Sequence, residues 1–159
     1  MDDRQFRNAM GKFATGVNVI ATETDGEIHG MTANAFMSVS LDPKLIVISI
    51  KEGAKMLDKI KESNRFSVNV LSCEQQEESM IFAGQKKMED AFNFDYLEQV
   101  PVVRNALAQL SCEVYNEHVE GDHTLFIGRV TGLDLQDGDP LIFNCGKYRE
   151  LKELESVSV

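Results

Sequence analysis

Segments in which apolar and polar residues alternate dominate this sequence, and no regular succession of helices separates them. Phe66 to Val70 and Leu110 to Val114 carry the period of two that suits a half-buried strand, Val17 to Thr22 is a strand signal, and Leu125, Phe126, Ile127 and Val130 make a returning strand. Ile28 to Ser40 alternates Met31, Ala33, Ala35 and Met37 with Thr32, Asn34, Phe36 and Ser38, which predicts an extended segment with one polar-lined face. Leu45 to Ile50 is almost wholly apolar and predicts a strand buried on both faces, and Pro140 opens a last strand at Leu141-Ile142-Phe143. Thr24-Asp25-Gly26-Glu27 and Glu120-Gly121-Asp122 read as hairpin turns. Helical spacing appears in three places. Phe6, Ala9, Met10 and Phe13 follow the caps Asp2 and Asp3 and predict a helix over 3–13, and Met56, Leu57 and Ile60 form one stripe within Gly53 to Glu62. Ser72 with Gln75 reads as a capping box for a third helix, with Glu74, Glu77 and Glu78 at its positive end and Gly84 to stop it. Residues 85–106 read as polar and irregular, anchored by Phe92, Phe94 and Tyr96.

Six or seven strands against two or three helices, with the strands gathered toward both ends of the chain, exclude a doubly wound parallel sheet. The expected architecture is one mainly β domain over 1–159, an antiparallel barrel that is closed or nearly closed, with helices at its rim. The 16 basic and 26 acidic residues leave a net charge of −10, which excludes a general nucleic-acid or anionic-membrane binder. The longest apolar run, Leu45-Ile46-Val47-Ile48, is too short to span a bilayer, and Met1-Asp2-Asp3-Arg4 lacks the pattern of a secretory signal. Cys73, Cys112 and Cys145 are odd in number and far apart, which argues against a disulfide framework, a CxxC pair or a zinc ribbon. All three are expected to be small buried hydrophobes in a cytoplasmic protein.

Phosphate-cradling Gly-rich loops, a nucleophile elbow and an HExxH helix are absent from the sequence. His118 and His123 lie near Glu117, Glu120 and Asp122, but they flank a hairpin turn without metal-ligand spacing, so no metal is expected. Two segments suit a planar, anionic ligand. Thr32 to Ser40 is rich in small and hydroxyl side chains, so a flat ring can approach the backbone while Thr32 and Asn34 bond a polar tail. The same pattern also describes an edge strand with a solvated Ser/Thr/Asn face. Ile50-Lys51-Glu52-Gly53-Ala54-Lys55 hands a strand to a helix whose start carries Gly at the cap, leaving its N–H groups free for a phosphate or for water. The stretch from Lys51 to Arg65 is net +2 within a chain of −10.

Ala14-Thr15-Gly16-Val17, Gly30-Met31-Thr32-Ala33-Asn34, Ser38-Val39-Ser40-Leu41-Asp42-Pro43, Phe66 to Leu71, Gly121-Asp122-His123, Gly128-Arg129-Val130 and Pro140-Leu141 with Tyr148 occur in an order that resembles the short-chain flavin reductase family. The resemblance runs from about residue 6 to residue 151. It implies a six-stranded antiparallel split β-barrel of FMN-binding type, a homodimer with flavin near the subunit interface, and reduction of FMN or FAD by NADH or NADPH. By the same resemblance Thr32, Ala33 and Asn34 hold the flavin beside Ser38, Val39 and Ser40. Ser49, Lys51, Ala54 and Lys55 receive its phosphate end, and Phe82, Ala83 and Gly84 complete the ring pocket. His123, the one catalytic candidate, and Tyr148 sit toward the nicotinamide. The family often has Ser after Thr-Ala-Asn, where this chain has Ala35, a lost hydroxyl that bears on affinity more than on fold.

Hydride transfer between two cofactors needs no acid–base pair from the protein, which accords with the absence of one in the motifs. Three functions share such a barrel. One is a reductase supplying free reduced flavin to a partner monooxygenase. The second is a flavoredoxin-type electron carrier that keeps its FMN, and the third is a flavin-free interaction module.

Overall fold

The computed structural model describes residues 1–154. Helix α1 (Asp3–Met10) starts at a full capping box, with the Asp2 carboxylate accepting from the Gln5 amide at 2.7 Å and the Gln5 side chain reaching back to Asp2. It is shorter than its sequence pattern suggests and buries none of its residues. The chain then enters β1 (Thr15–Gly16), β2 (Asn18–Thr24), β3 (Glu27–Ala33), β4 (Phe36–Leu41) and β5 (Lys44–Lys51). After α2 (Lys55–Ser63) come β6 (Arg65–Val70) and α3 (Gln76–Phe82). The remaining strands are β7 (Phe94–Leu97), β8 (Val100–Val103), β9 (Ala108–Glu120), β10 (His123–Leu135), β11 (Ile142–Asn144) and β12 (Lys147–Arg149).

Seven strands form one sheet in the order β3-β2-β6-β9-β10-β5-β4, each pair antiparallel. The edge strands β3 and β4 are consecutive in sequence, joined only by Asn34 and Ala35. Three peptide steps reach roughly 11 Å, whereas the edges of a flat seven-stranded sheet lie roughly 29 Å apart. The sheet therefore curls until its edges meet at Asn34-Ala35. No ladder joins β3 to β4, so the main sheet has seven strands and is not a closed barrel.

Inside the curl, Ile20, Ile46, Ile48, Ile50, Phe66, Val68, Cys112 and Phe126 pack with Met56, Leu57 and Ile60 of α2, which plugs the core. Each of the three α2 side chains contributes about 2 kcal/mol by leaving water. Gly128 is required here, because a Cβ on it would stand 2.6 Å from the Phe66 ring. A second cluster, Val17, Val19, Leu71, Val103, Ala106 and Leu141, lies on the other face of β2, and Phe82, Phe92, Phe94, Phe143 and Tyr148 pack against it. Buried Asn69 ties β6 to β8, donating to the Val19 carbonyl and the Ser67 hydroxyl and accepting from the Val103 amide, all at 2.9 Å.

Several local expectations change. β5 is fully buried on one face only: Ile46, Ile48 and Ile50 point inward, while Leu45, Val47 and Ser49 on the other face are half-buried. The extended segment 28–40 is two strands on opposite edges. Residues 85–106 contain the β7–β8 hairpin, whose turn places Glu98 and Gln99 at φ 47° and 65°. Glu and Gln are poor signals for a turn that favours Asn-Gly, which is why the pattern hid it. Only Cys112 is buried; Cys73 and Cys145 are exposed. Cys145 opens the tight Cys145-Gly146 turn between β11 and β12, a hairpin the sequence reading compresses into one strand.

Candidate functional site

The seam where the two sheet edges meet carries two adjoining depressions. The smaller, 160 Å³, is lined by Val17, Thr32, Ala33, Asn34, Ser79, Ala83, Gln85, Phe143 and Tyr148. The larger, 890 Å³, lies under α1 and is lined on its inner side by Thr15, Asn34, Ala35, Ser49, His123 and Phe143. Asn34 and Phe143 belong to both walls. A volume of 160 Å³ accepts the edge of a flat ring rather than a whole cofactor, and the adjoining cleft is of the size that small-molecule sites usually have.

Ser79 organises the small pocket. Its carbonyl accepts the Thr32 hydroxyl at 2.7 Å, docking β3 on α3, and its hydroxyl meets that of Tyr148 at 2.8 Å. Tyr148 is positioned from below by Phe143, its cross-strand partner, with ring centroids 5.5 Å apart. Helix α3 ends in a Schellman motif: Gly84, at φ 72°, donates to the Ile81 carbonyl and Gln85 to that of Met80 at 2.9 Å, which turns Ala83 and Gln85 onto the pocket wall. The helix begins later than the Ser72-Gln75 pattern suggests, because only half of that box forms. The Gln75 side chain accepts the Ser72 amide at 3.1 Å, but Gln75 itself is the cap.

In the larger cleft His123 opens β10 after the Gly121-Asp122 turn, facing Lys51 across the ladder. A His123 ring nitrogen lies 2.8 Å from the Asp122 carboxylate. That hydrogen bond and the nearby imidazole, with Lys51 as a lesser influence, hold the Asp122 carboxyl below its ordinary range. Thr15 contributes a buried hydroxyl oxygen without a partner among the described residues, a polar atom free to meet a ligand.

Of the residues expected at the site, the structure gathers Thr32, Ala33, Asn34, Ala83 and Tyr148 around the small pocket, and Ser49 and His123 on the adjoining wall. Ser38, Val39 and Ser40 run along the exposed edge strand β4 and line neither depression. Phe82 turns away, its ring over Gly30 and 4.9 Å from that of Phe92. Gly84 acts through the helix end alone. Lys51, Ala54 and Lys55 lie beyond the cleft, at the β5–α2 junction. There Ala54, rather than Gly53, is the cap, and no side chain bonds the first turn of the helix. Ser79, Phe143 and Thr15 escaped the sequence reading. The contact between Ser79 and Tyr148 spans 69 positions, and no local pattern announces it.

A third depression, lined by Glu74, Glu78, Asp137 and Asp139, would repel an anionic ligand. Among the described residues no group of three His, Cys, Asp or Glu side chains is arranged to hold a metal ion. No helix there is long and apolar enough to cross a membrane.

Residues 10–152 match the family model described as flavin reductase like domain. An NADH-dependent flavin reductase from Rhodococcus sp is 44% identical over 151 residues, covering 93% of this chain and 86% of the relative. The reductase component of 4-hydroxyphenylacetate 3-monooxygenase from Thermus thermophilus is 37% identical over 147 residues, covering 92% and 95%. The solved structure of the flavin reductase PheA2 in its native state superposes with a TM-score of 0.94 at 58% identity, covering 96% of this chain and all of that one.

Proposed function

This chain belongs to the flavin reductase like family, and on that premise we propose that the seam between its sheet edges brings a flavin and a nicotinamide nucleotide together. The protein is an NADH-dependent flavin oxidoreductase acting on FMN or FAD, as its relatives are named. The observation that carries the site assignment is the pair of depressions sharing Asn34 and Phe143, one fitted to a ring edge and one large enough for a second planar group.

When bound, the nicotinamide supplies a hydride and the flavin accepts it at its central ring. The chain's own part is to bind, orient and polarise. Ala33, Ala35 and Ala83 are small enough for a ring to lie against the backbone, and Asn34 stands at the boundary with donor and acceptor groups for both compartments. Tyr148, braced by Ser79 and Phe143, closes the far wall. His123 is a positioning group for the nicotinamide, its ring held by Asp122 so that one nitrogen is left to face the cleft. Lys51, Lys55 and the uncapped start of α2 offer positive potential to the phosphate of an extended flavin nucleotide.

The fold supports a split-barrel description, since the sheet is closed only where Asn34-Ala35 bridges its edges. The functional unit is a homodimer. Met37, Val47 and Ile127 stand side by side across β4, β5 and β10, with Leu45 and Leu125 on the same face, and of these apolar side chains Met37 is exposed and the other four are only half-buried. Ser49 and His123 lie on that face, so a second copy seated there would border the cleft. Reduced flavin leaves for a separate monooxygenase, in keeping with relatives named as reductase components of such enzymes.

The test is steady-state oxidation of NADH and NADPH with FMN, FAD and riboflavin as acceptors. Turnover with free flavin supports the reductase. Flavin that binds but is never consumed makes the protein a carrier, and a melting temperature unmoved by excess FMN and FAD removes both readings.

A further inference from the structure

We infer that Ser79 fixes the hydrogen-bond polarity of the small pocket, so that Tyr148 offers a donor and Thr32 an acceptor to a ligand edge carrying a carbonyl beside an N–H. The inference rests on the flavin and nicotinamide reading above and specifies which chemical edge enters the pocket.

Ser79 is fully buried, and among the described residues its hydroxyl has one partner, the Tyr148 hydroxyl at 2.8 Å. Two arrangements of the protons satisfy that distance. Ser79 borders the pocket but exposes no surface, whereas Tyr148 is only half-buried. If Tyr148 donates, the Ser79 proton is therefore left without an acceptor among the described residues, which is the expensive way to leave a hydroxyl. If Ser79 donates, the Tyr148 proton is free, and Tyr148 lines the open pocket, where a ligand or water accepts it. Burial therefore selects the second arrangement.

Thr32 is set by the same residue. Its hydroxyl proton goes to the Ser79 carbonyl at 2.7 Å, so only its lone pairs remain for the pocket it lines. One donor and one acceptor, both anchored on a single turn of α3, match an amide or imide edge. A flavin ring carries such an edge as an imide, and the nicotinamide carboxamide carries another.

Four proteins decide between these and test the polarity: the unmutated chain, Tyr148→Phe, Ser79→Ala and the double variant. Riboflavin and 3-methylriboflavin, which lacks the imide N–H, are titrated by flavin fluorescence. KM is measured for NADH and for its reduced 3-acetylpyridine analogue, which lacks the amide N–H. The unmutated protein is expected to discriminate about fivefold, the worth of one neutral hydrogen bond, in one of the two arms. Discrimination against 3-methylriboflavin assigns the edge to the flavin, and discrimination against the acetyl analogue assigns it to the nicotinamide. In that arm Tyr148→Phe loses about fivefold in affinity, and adding Ser79→Ala to it costs nothing more, because Ser79 acts through the hydroxyl already removed. Equal binding of each analogue and its parent, an unaffected Tyr148→Phe, or additive losses would overturn the inference. Tyr148→Phe keeps its ring on Phe143, and its melting temperature checks that the fold is intact. An unmutated protein that neither binds riboflavin nor oxidises NADH removes the flavin reading as well, whereas normal turnover without discrimination removes this inference alone.

Discussion

Replacing Gly30 with alanine probes how the second core supports the pocket. A Cβ at Gly30 would stand 2.5 Å from both Cδ1 and Cε1 of Phe82, whereas carbon atoms in contact prefer about 3.5–4.0 Å. The ring must retreat by more than an ångström, yet it is wedged against Phe92 at 4.9 Å and Phe94 at 5.7 Å between centroids. Overpacking of this kind costs about 1–3 kcal/mol. Alanine in a strand recovers about 0.5–1 kcal/mol of backbone entropy relative to glycine, so the steric term wins. The two ranges leave a net loss of up to about 2.5 kcal/mol, about 1.2 kcal/mol at their midpoints, which lowers Tm by about 2–5 °C in a domain of this size. Phe82 closes α3, and Ser79 and Ala83 ride on that helix, so FMN affinity should fall with stability. Calorimetry and FMN titration of Gly30→Ala measure both effects. Gly16→Ala, where no atom lies within 4 Å of the added Cβ, is the unstrained control and should gain about 0.5–1 kcal/mol, and Phe82→Leu should partly rescue Gly30→Ala. A Gly30→Ala protein that melts at or above the unmutated temperature would refute the packing argument.

Lys55→Glu should weaken FMN several-fold while leaving riboflavin nearly untouched; equal effects on both would remove the α2 start from the phosphate site. Asn34→Ala should lower flavin affinity with Tm unchanged, since Asn34 is exposed and its side chain braces nothing, and unchanged binding would return the segment to a solvated edge. Asn69→Ala strands the Val103 amide and opens a cavity between β6 and β8, and urea denaturation should record a loss of about 3 kcal/mol. Burial pushes the Cys112 thiol up to about 12, from an ordinary value of 9.0. The folded chain keeps that proton after the unfolded chain has lost it, so stability is intact below pH 9 and falls as pH rises toward 12, by about 1.4 kcal/mol per unit. Cys112→Ala should flatten that slope in denaturation curves measured from pH 8.5 to 10.5, and an unaltered slope would count against a buried neutral thiol.

The anion-friendly stretch around Lys51 was legible in the sequence because charge and a helix start are local properties. So were the Asp25-Gly26 and Gly121-Asp122 turns, where residues at positive φ announce themselves. The small pocket was half legible. Thr32, Ala33 and Asn34 stand together in one segment of small and hydroxyl residues, but Ser79 lies in a helix among glutamates and meets Tyr148 only after folding. Phe82 shows the limit of reading from chain position: it lies beside the pocket in sequence, and its ring packs against Gly30, Phe92 and Phe94.

The alternation of apolar residues determined by itself that this chain builds antiparallel strands, because side-chain direction along a strand is a matter of parity, whereas the nearly unbroken apolar run Leu45 to Ile50 predicted burial on both faces and did not tell that only Ile46, Ile48 and Ile50 point to the core. It could not decide what lies over the other face of β5, which depends on elements far away in the chain. Tertiary structure alone made a site of the link between β3 and β4. Two residues cannot bridge the edges of a flat seven-stranded sheet, so the sheet curls, and the curl brings Asn34 beside Ser49, His123 and Phe143.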